Sequence, residues 1–91
     1  MFEMDKTQKR YANEILEPLK MAGEIINYGF EKLKLRLAKK TFLTPDFYVI
    51  TPNHIELHEV KGHWEDDVQV KMKVAAEQFP EFKWIAVRWK N

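Results

Sequence analysis

The 91-residue sequence predicts a single α/β domain over 1–91, in the order α-β-β-β-α-β, with one mixed central sheet flanked by helices. Three observations predict it. Apolar stripes of helical period lie in the first and last thirds, two short apolar or alternating runs flank Thr51-Pro52-Asn53-His54 in the middle, and another apolar-rich run follows Pro80. Over 6–21, Tyr11, Ile15 and Leu19 share a helix face with Ala12, and Gly23 ends the segment. Pro18 conflicts with this helix, since a proline removes a donor and crowds the preceding turn; it is expected to kink or shorten the helix. Residues 25–37 read as one or two strands around Tyr28-Gly29. Within them Lys32-Leu33-Lys34-Leu35-Arg36-Leu37 alternates cation and leucine, which an extended strand sorts into one apolar and one basic face. The run from Phe47 to Ile50 and the alternating run from Ile55 to Val60, ending at Lys61-Gly62, form a hairpin across the 51–54 turn. A second helix is expected over 65–78, because Glu65, Asp66 and Asp67 suit the positive end of the helix and Phe79-Pro80 stops it. Its inner stripe is Val68, Met72, Ala75 and Phe79; Val70 and Val74 lie well round the cylinder and want a second cover, from this chain or from a partner across a two-fold axis. The run 83–89 supplies the last strand.

Apolar residues at 45% and aromatics at 13% describe a globular chain, and no apolar run reaches the ~18 residues that a membrane-spanning helix needs. A soluble protein is expected. With no cysteine there are no disulfides or thiolate metal sites, and with no secretory-type start the expected location is cytoplasmic. A net charge of +1 is too small to coat the chain in nucleic acid, so contact with DNA must come from local clustering of the fifteen Lys and Arg. Lys32, Lys34 and Arg36 form such a cluster, extended by Lys39 and Lys40. The plainer reading is a half-buried strand with a solvated outer face.

Glu59 follows Asp46 by thirteen positions and Lys61 follows Glu59 by two. Alternate residues of a strand share a face, so Glu59 and Lys61 point one way while Val60 turns into apolar packing, and Asp46 arrives from the neighbouring strand. Two carboxylates and an amine around one point are what a Mg²⁺ ion and an attacked phosphodiester require. The ion prefers hard oxygens, is held by one or two carboxylates together with phosphate, and acidifies a bound water; an ammonium orients the water or steadies the charge that develops on phosphate. Asp46 and Glu59, with the Val60 carbonyl, are the candidate ligands, and Mn²⁺ is expected to substitute. The plainer reading makes Asp46 a turn residue and Glu59-Lys61 a solvated ion pair.

The segments TPDFYVI and IELHEVKG resemble the active-site motif of the PD-(D/E)xK nuclease superfamily. The stretches GEIINYGFEKLKLRL, HEVKGHWEDD and VKMKVAAEQFPEF extend the resemblance over most of the chain, toward small phage and prophage nucleases similar to phage endonuclease I and virus-type replication-repair nucleases. The resemblance implies a restriction-endonuclease-like core and Mg²⁺-dependent cleavage of branched or structured DNA of the Holliday-junction type, in phage replication or recombination. It also implies a homodimer, cutting two arms with two sites, and the cytoplasm of a bacterial host. Members of this group begin the first helix with Thr-Glu, the Glu serving the site, where this chain has Thr7-Gln8. Gln8 lies on the inner stripe of the helix and Glu14 on its far side, which makes Gln8 the fourth catalytic candidate beside Asp46, Glu59 and Lys61; its amide oxygen can orient water but is a poorer Mg²⁺ ligand than a carboxylate. This departure keeps two alternatives open, a non-catalytic DNA-binding or assembly subunit and an ordinary surface role for Gln8. A restriction-like enzyme is a third, without a visible recognition segment.

Lys71 stands at the edge of the second helix's inner stripe, where it would contact phosphate or simply snorkel to solvent. His54, His58 and His63 lack zinc-like spacing; His58 should face away from Glu59 and Lys61, and His63 approaches the rim of the site. Trp64, Trp84 and Trp89 read as core or interface residues rather than stacking platforms.

Overall fold

The structure, a computed structural model, describes residues 3–89. Asp5 opens the chain's helical arm with a capping box: its side chain accepts from the Gln8 N–H while Gln8 Oε1 accepts from the Asp5 N–H, each at 2.8 Å. Helix α1 (Lys6–Tyr11), a π-helical turn (Ala12–Leu16) and helix α2 (Glu17–Met21) then follow without a break. The π turn accommodates Pro18. The Glu17 N–H reaches back five residues to the Ala12 carbonyl, and Pro18, with no N–H to place, enters in the first turn of α2, where helices tolerate it. Pro18 therefore does not shorten the helix. Gly23, at φ +78°, ends it in a Schellman arrangement, with Gly23 N–H bonded to the Lys20 carbonyl and Glu24 N–H to the Leu19 carbonyl.

Strands β1 (Asn27–Phe30), β4 (Phe47–Ile50), β5 (Ile55–Lys61) and β6 (Lys83–Arg88) form one mixed sheet in the order β1-β4-β5-β6. The first three pair antiparallel. Helix α3 (Asp66–Gln78) carries the chain across so that β6 lies parallel to β5. Between β1 and β4 the chain forms a separate hairpin of β2 (Leu35–Ala38) and β3 (Thr41–Leu43). Five strands thus precede α3, where the sequence pattern predicts three, or four if residues 25–37 divide in two. The basic run also differs from expectation. Only its second half pairs, because the chain reverses at Lys39-Lys40, with Lys40 at φ +62°, while residues 32–34 belong to no strand. Its alternation survives in burial: Lys32, Lys34 and Arg36 are exposed, Leu33 and Leu35 half-buried, and Leu37 buried.

The sheet is covered on both faces. On one face Phe47, Val49 and Val60 pack with Tyr11, Ala12, Leu16 and Ile25. On the other, Leu37 and Leu43 of the hairpin meet Ala75, Phe79 and Trp84, and Gln78 Nε2 donates to the Leu37 carbonyl at 2.8 Å. Leu16, Phe47, Val49 and Leu57 are fully buried, each worth about 1.5–3 kcal/mol of transfer from water. Met72 and Ala75 face inward from α3, whereas Val70 and Val74 are exposed. Among the described residues no helix is long and apolar enough to cross a membrane.

Candidate functional site

The β4–β5 ladder ends at the pair Phe47 and His58, and Pro45 has no N–H with which to extend it. Side chains complete the pairing beyond that point. Asp46 Oδ2 accepts the Val60 N–H at 2.7 Å, and Glu59 Oε1 accepts the Asp46 N–H at 2.8 Å. Both carboxylates are thereby buried, each residue only 5% exposed. Lys61 Nζ stands over them, 4.0 Å from Asp46 Oδ2 and 3.9 Å from Glu59 Oε2. The strand periodicity that joins Glu59 to Lys61 also sends Val60 into the core beneath α1. Since the Lys61 carbonyl accepts from the Trp89 N–H on the β6 side, the Val60 carbonyl opens toward the Asp46 side of β5, with its own N–H.

Two carboxylates held this close in a buried site do not ionise freely. Burial, and then the charge of Asp46, push the Glu59 carboxyl up to about 7; burial raises Asp46 as well, against the Val60 N–H and Lys61, which favour its anion. Near neutral pH the pair therefore tends to retain a proton, and a cation touching both oxygens would take its place.

Gln8 reaches the same point from α1. It is buried, and its Nε2 donates to Asp46 Oδ1 at 3.0 Å. Its carbonyl is already used by the capping box, so the side chain offers the pair a hydrogen-bond donor and not a ligand oxygen. Among the described residues no group of three or more His, Cys, Asp or Glu side chains is placed to hold a metal. The donor set is two carboxylates and one main-chain carbonyl. That set fits a Mg²⁺-type ion, which is usually held by one or two carboxylates with water and phosphate oxygens completing its shell.

The remaining candidates lie elsewhere. Lys32 and Lys34 are exposed on the arm that leads into the β2–β3 hairpin and Arg36 is exposed on β2 itself; Lys34 Nζ sits 4.5 Å over the Phe42 ring, and Arg36 Nε reaches the Ala38 carbonyl at 3.4 Å. Lys71 is exposed on α3, and His63 lies exposed just past β5. His58 is on the face opposite Glu59. Its Nδ1 is 2.7 Å from the Tyr11 hydroxyl and its Nε2 is 2.8 Å from Glu56 Oε1, while His54 Nε2 is 2.7 Å from Glu56 Oε2. Burial lowers the His58 pKa against the pull of Glu56; burial would raise Glu56, but hydrogen bonds from His54 and His58 leave it lowered. The alternate spacing of His54, Glu56 and His58 signals this chain of polar contacts in the sequence.

A groove of about 470 Å³ was not anticipated. It lies between α3 and β6 and is lined by Trp64, Met72, Lys73, Trp84, Ala86 and Arg88 among others. In the parallel ladder Glu59 pairs with Ala86 and Lys61 with Arg88, so the β6 side of the groove shares the face of the carboxylate pair. Only the three-dimensional pairing of β6 reveals this, since the two strands are far apart in sequence. No family model, curated protein or solved structure matches the chain.

Proposed function

We propose that this protein is a metal-dependent DNA endonuclease that hydrolyses phosphodiester bonds in branched or structured DNA. The observation that carries the reading is the convergence of Asp46, Glu59 and Lys61 at the end of the β4–β5 ladder, two buried carboxylates with an ammonium about 4 Å from both. If the β2–β3 hairpin is an insertion, the remaining elements run α-β-β-β-α-β, the order of the PD-(D/E)xK core that the sequence resembles. A two-fold dimer is part of the proposal. The exposed Val70 and Val74 supply an apolar face on α3 for it.

A Mg²⁺ ion held by Asp46, Glu59 and the Val60 carbonyl would neutralise phosphate charge and acidify a water. The chain's own residues do the positioning. Val60 N–H and Gln8 Nε2 fix the Asp46 carboxylate in orientation, and the Asp46 N–H does the same for Glu59. Lys61, partly exposed, orients the attacking water or steadies the charge on phosphate. In the reaction a water oxygen bonds to phosphorus and the ester P–O bond opens; the water loses a proton and the departing oxygen gains one. Lys32, Lys34, Arg36 and Lys71 are proposed to contact the DNA backbone.

The test is a panel of labelled Holliday junction, flap, splayed and linear DNAs incubated with Mg²⁺ or Mn²⁺. Wild type is expected to cut the branched forms. Asp46→Asn, Glu59→Gln and Lys61→Ala should each remove most cleavage with the circular dichroism of the fold retained. The Asp46→Asn, Glu59→Gln double variant should be little worse than either single, because residues acting as a unit lose activity together. Wild-type cleavage by Asp46→Asn would sink the assignment. The donor that Gln8 turns toward Asp46 favours a second reading, a DNA-binding subunit without activity, which predicts shifted bands and no cut product.

A further inference from the structure

We propose that the groove between α3 and β6 takes unpaired bases of a single DNA strand beside the Asp46–Glu59 pair. The substrate would then carry a single-stranded stretch next to the scissile phosphate. The position of the groove gives it this meaning only if the nuclease reading holds, whereas its capacity to bind bases does not depend on that reading.

The groove runs along α3 with an indole at each end. Gln69 Nε2 reaches the Trp64 carbonyl at 3.5 Å near the start of the helix, and Trp84 Nε1 donates to the Phe79 carbonyl at 3.0 Å past its end. One side of Trp84 meets the Leu37, Leu43 and Ala75 cluster, and Trp84 also lines the groove. Ala86, with only a methyl side chain, leaves room between the indoles. Neighbouring strands lie about 4.8 Å apart, so Ala86 sits one strand from Glu59, and Arg88 one strand from Lys61.

Charge and shape select the occupant. Lys73 and Arg88 line the groove and Lys61 stands beside it, which suits a phosphate backbone. Glu65, Asp66 and Asp67, exposed just after Trp64, direct that backbone toward the Lys73 and Arg88 side. Indole faces bind bases of any sequence by stacking, and a base offers its face only where its neighbour in the stack has been removed. Intact duplex has no such face to give. Single-stranded DNA at a branch, flap or gap does.

The experiment measures binding without metal, by anisotropy of labelled single-stranded oligonucleotides and by quenching of tryptophan fluorescence. Abasic versions of the same strands serve as controls. Wild type should bind the normal strand about tenfold more tightly than the abasic one. Trp64→Ala, or Ala86→Leu, which fills the groove, should weaken binding of the normal strand by about the same factor and leave the abasic strand unaffected. Trp64→Phe should recover most of the affinity, which separates stacking from a folding defect. Equal affinity of wild type for normal and abasic strands overturns the proposal, as does unchanged binding by Ala86→Leu. Cleavage of flap DNA with Mg²⁺ is scored separately. Base-dependent binding without any cleavage sinks the nuclease reading and keeps the groove; cleavage indifferent to Trp64→Ala, Ala86→Leu and abasic substitution does the reverse.

Discussion

A carboxyl group with a pKa pushed up to about 7, as at Glu59, keeps its proton in the folded chain over a pH range in which the unfolded chain has lost it. The ordinary value is 4.5, so the contribution to stability is fully present below pH 4.5, is lost as pH rises to about 7, and changes no further above that. A shift of this size corresponds to something on the order of 3 kcal/mol. In chelator, the urea midpoint of the wild type should therefore fall between pH 5 and pH 7.5, and Glu59→Gln should flatten most of that fall. An unchanged slope in the variant would place the titration elsewhere. Gln8 allows a complementary test. Gln8→Glu keeps the capping box, because a glutamate at that position also accepts from the Asp5 N–H, yet it replaces the donor facing Asp46 with a third carboxylate. Without metal the variant should lose about 1–3 kcal/mol. Added Mg²⁺ or Mn²⁺ should restore it, with tighter metal binding in a calorimetric titration. A Gln8 that plays no part in the site would leave both measurements unmoved.

At the level of elements, Gly23 isolates a backbone effect. A Cβ built there meets nothing within 4 Å, so Gly23→Ala should cost about 1 kcal/mol through its positive φ alone, read as a lower denaturation midpoint with unchanged cooperativity. The same element view explains what the sequence discloses. Strands Phe47–Ile50 and Ile55–Lys61 are legible because an apolar run and an alternating run flank turn residues, and helix Asp66–Gln78 because acidic residues open it and Phe79-Pro80 closes it. The meeting of Asp46, Glu59 and Lys61 is legible for the same reason, since one short hairpin holds all three. The β2–β3 hairpin is not. Its reversal places Lys40 at positive φ, where no glycine or asparagine advertises a turn. Nor does any residue type announce a π turn ahead of Pro18. The orientation of Gln8 could have been read, because Asp5 followed by Gln8 three residues on is a capping-box signature that commits the amide oxygen.

For the whole molecule, a net charge of +1 leaves the proposed affinity for DNA to local clusters. Neutralising Lys32, Lys34 and Arg36 together should reduce the slope of log affinity against log salt by about 0.9 for every phosphate that the arm no longer neutralises, with sequence preference unchanged. A slope that stays constant would make the arm a solvated face. The carboxylates at the end of the β4–β5 ladder have one more consequence, for how the chain finds its alignment. β5 is an inner strand, paired on both sides, and a shift by one residue would exchange its two faces, turning Val60 out of the core. It would also strand the Val60 and Asp46 N–H groups that Asp46 and Glu59 now satisfy, at about 1–3 kcal/mol each. Since β6 takes its position from β5, the error would pass to the outer strand and to α3. Asp46 and Glu59 thus favour the native alignment over its one-residue neighbours, whether or not a cation ever arrives.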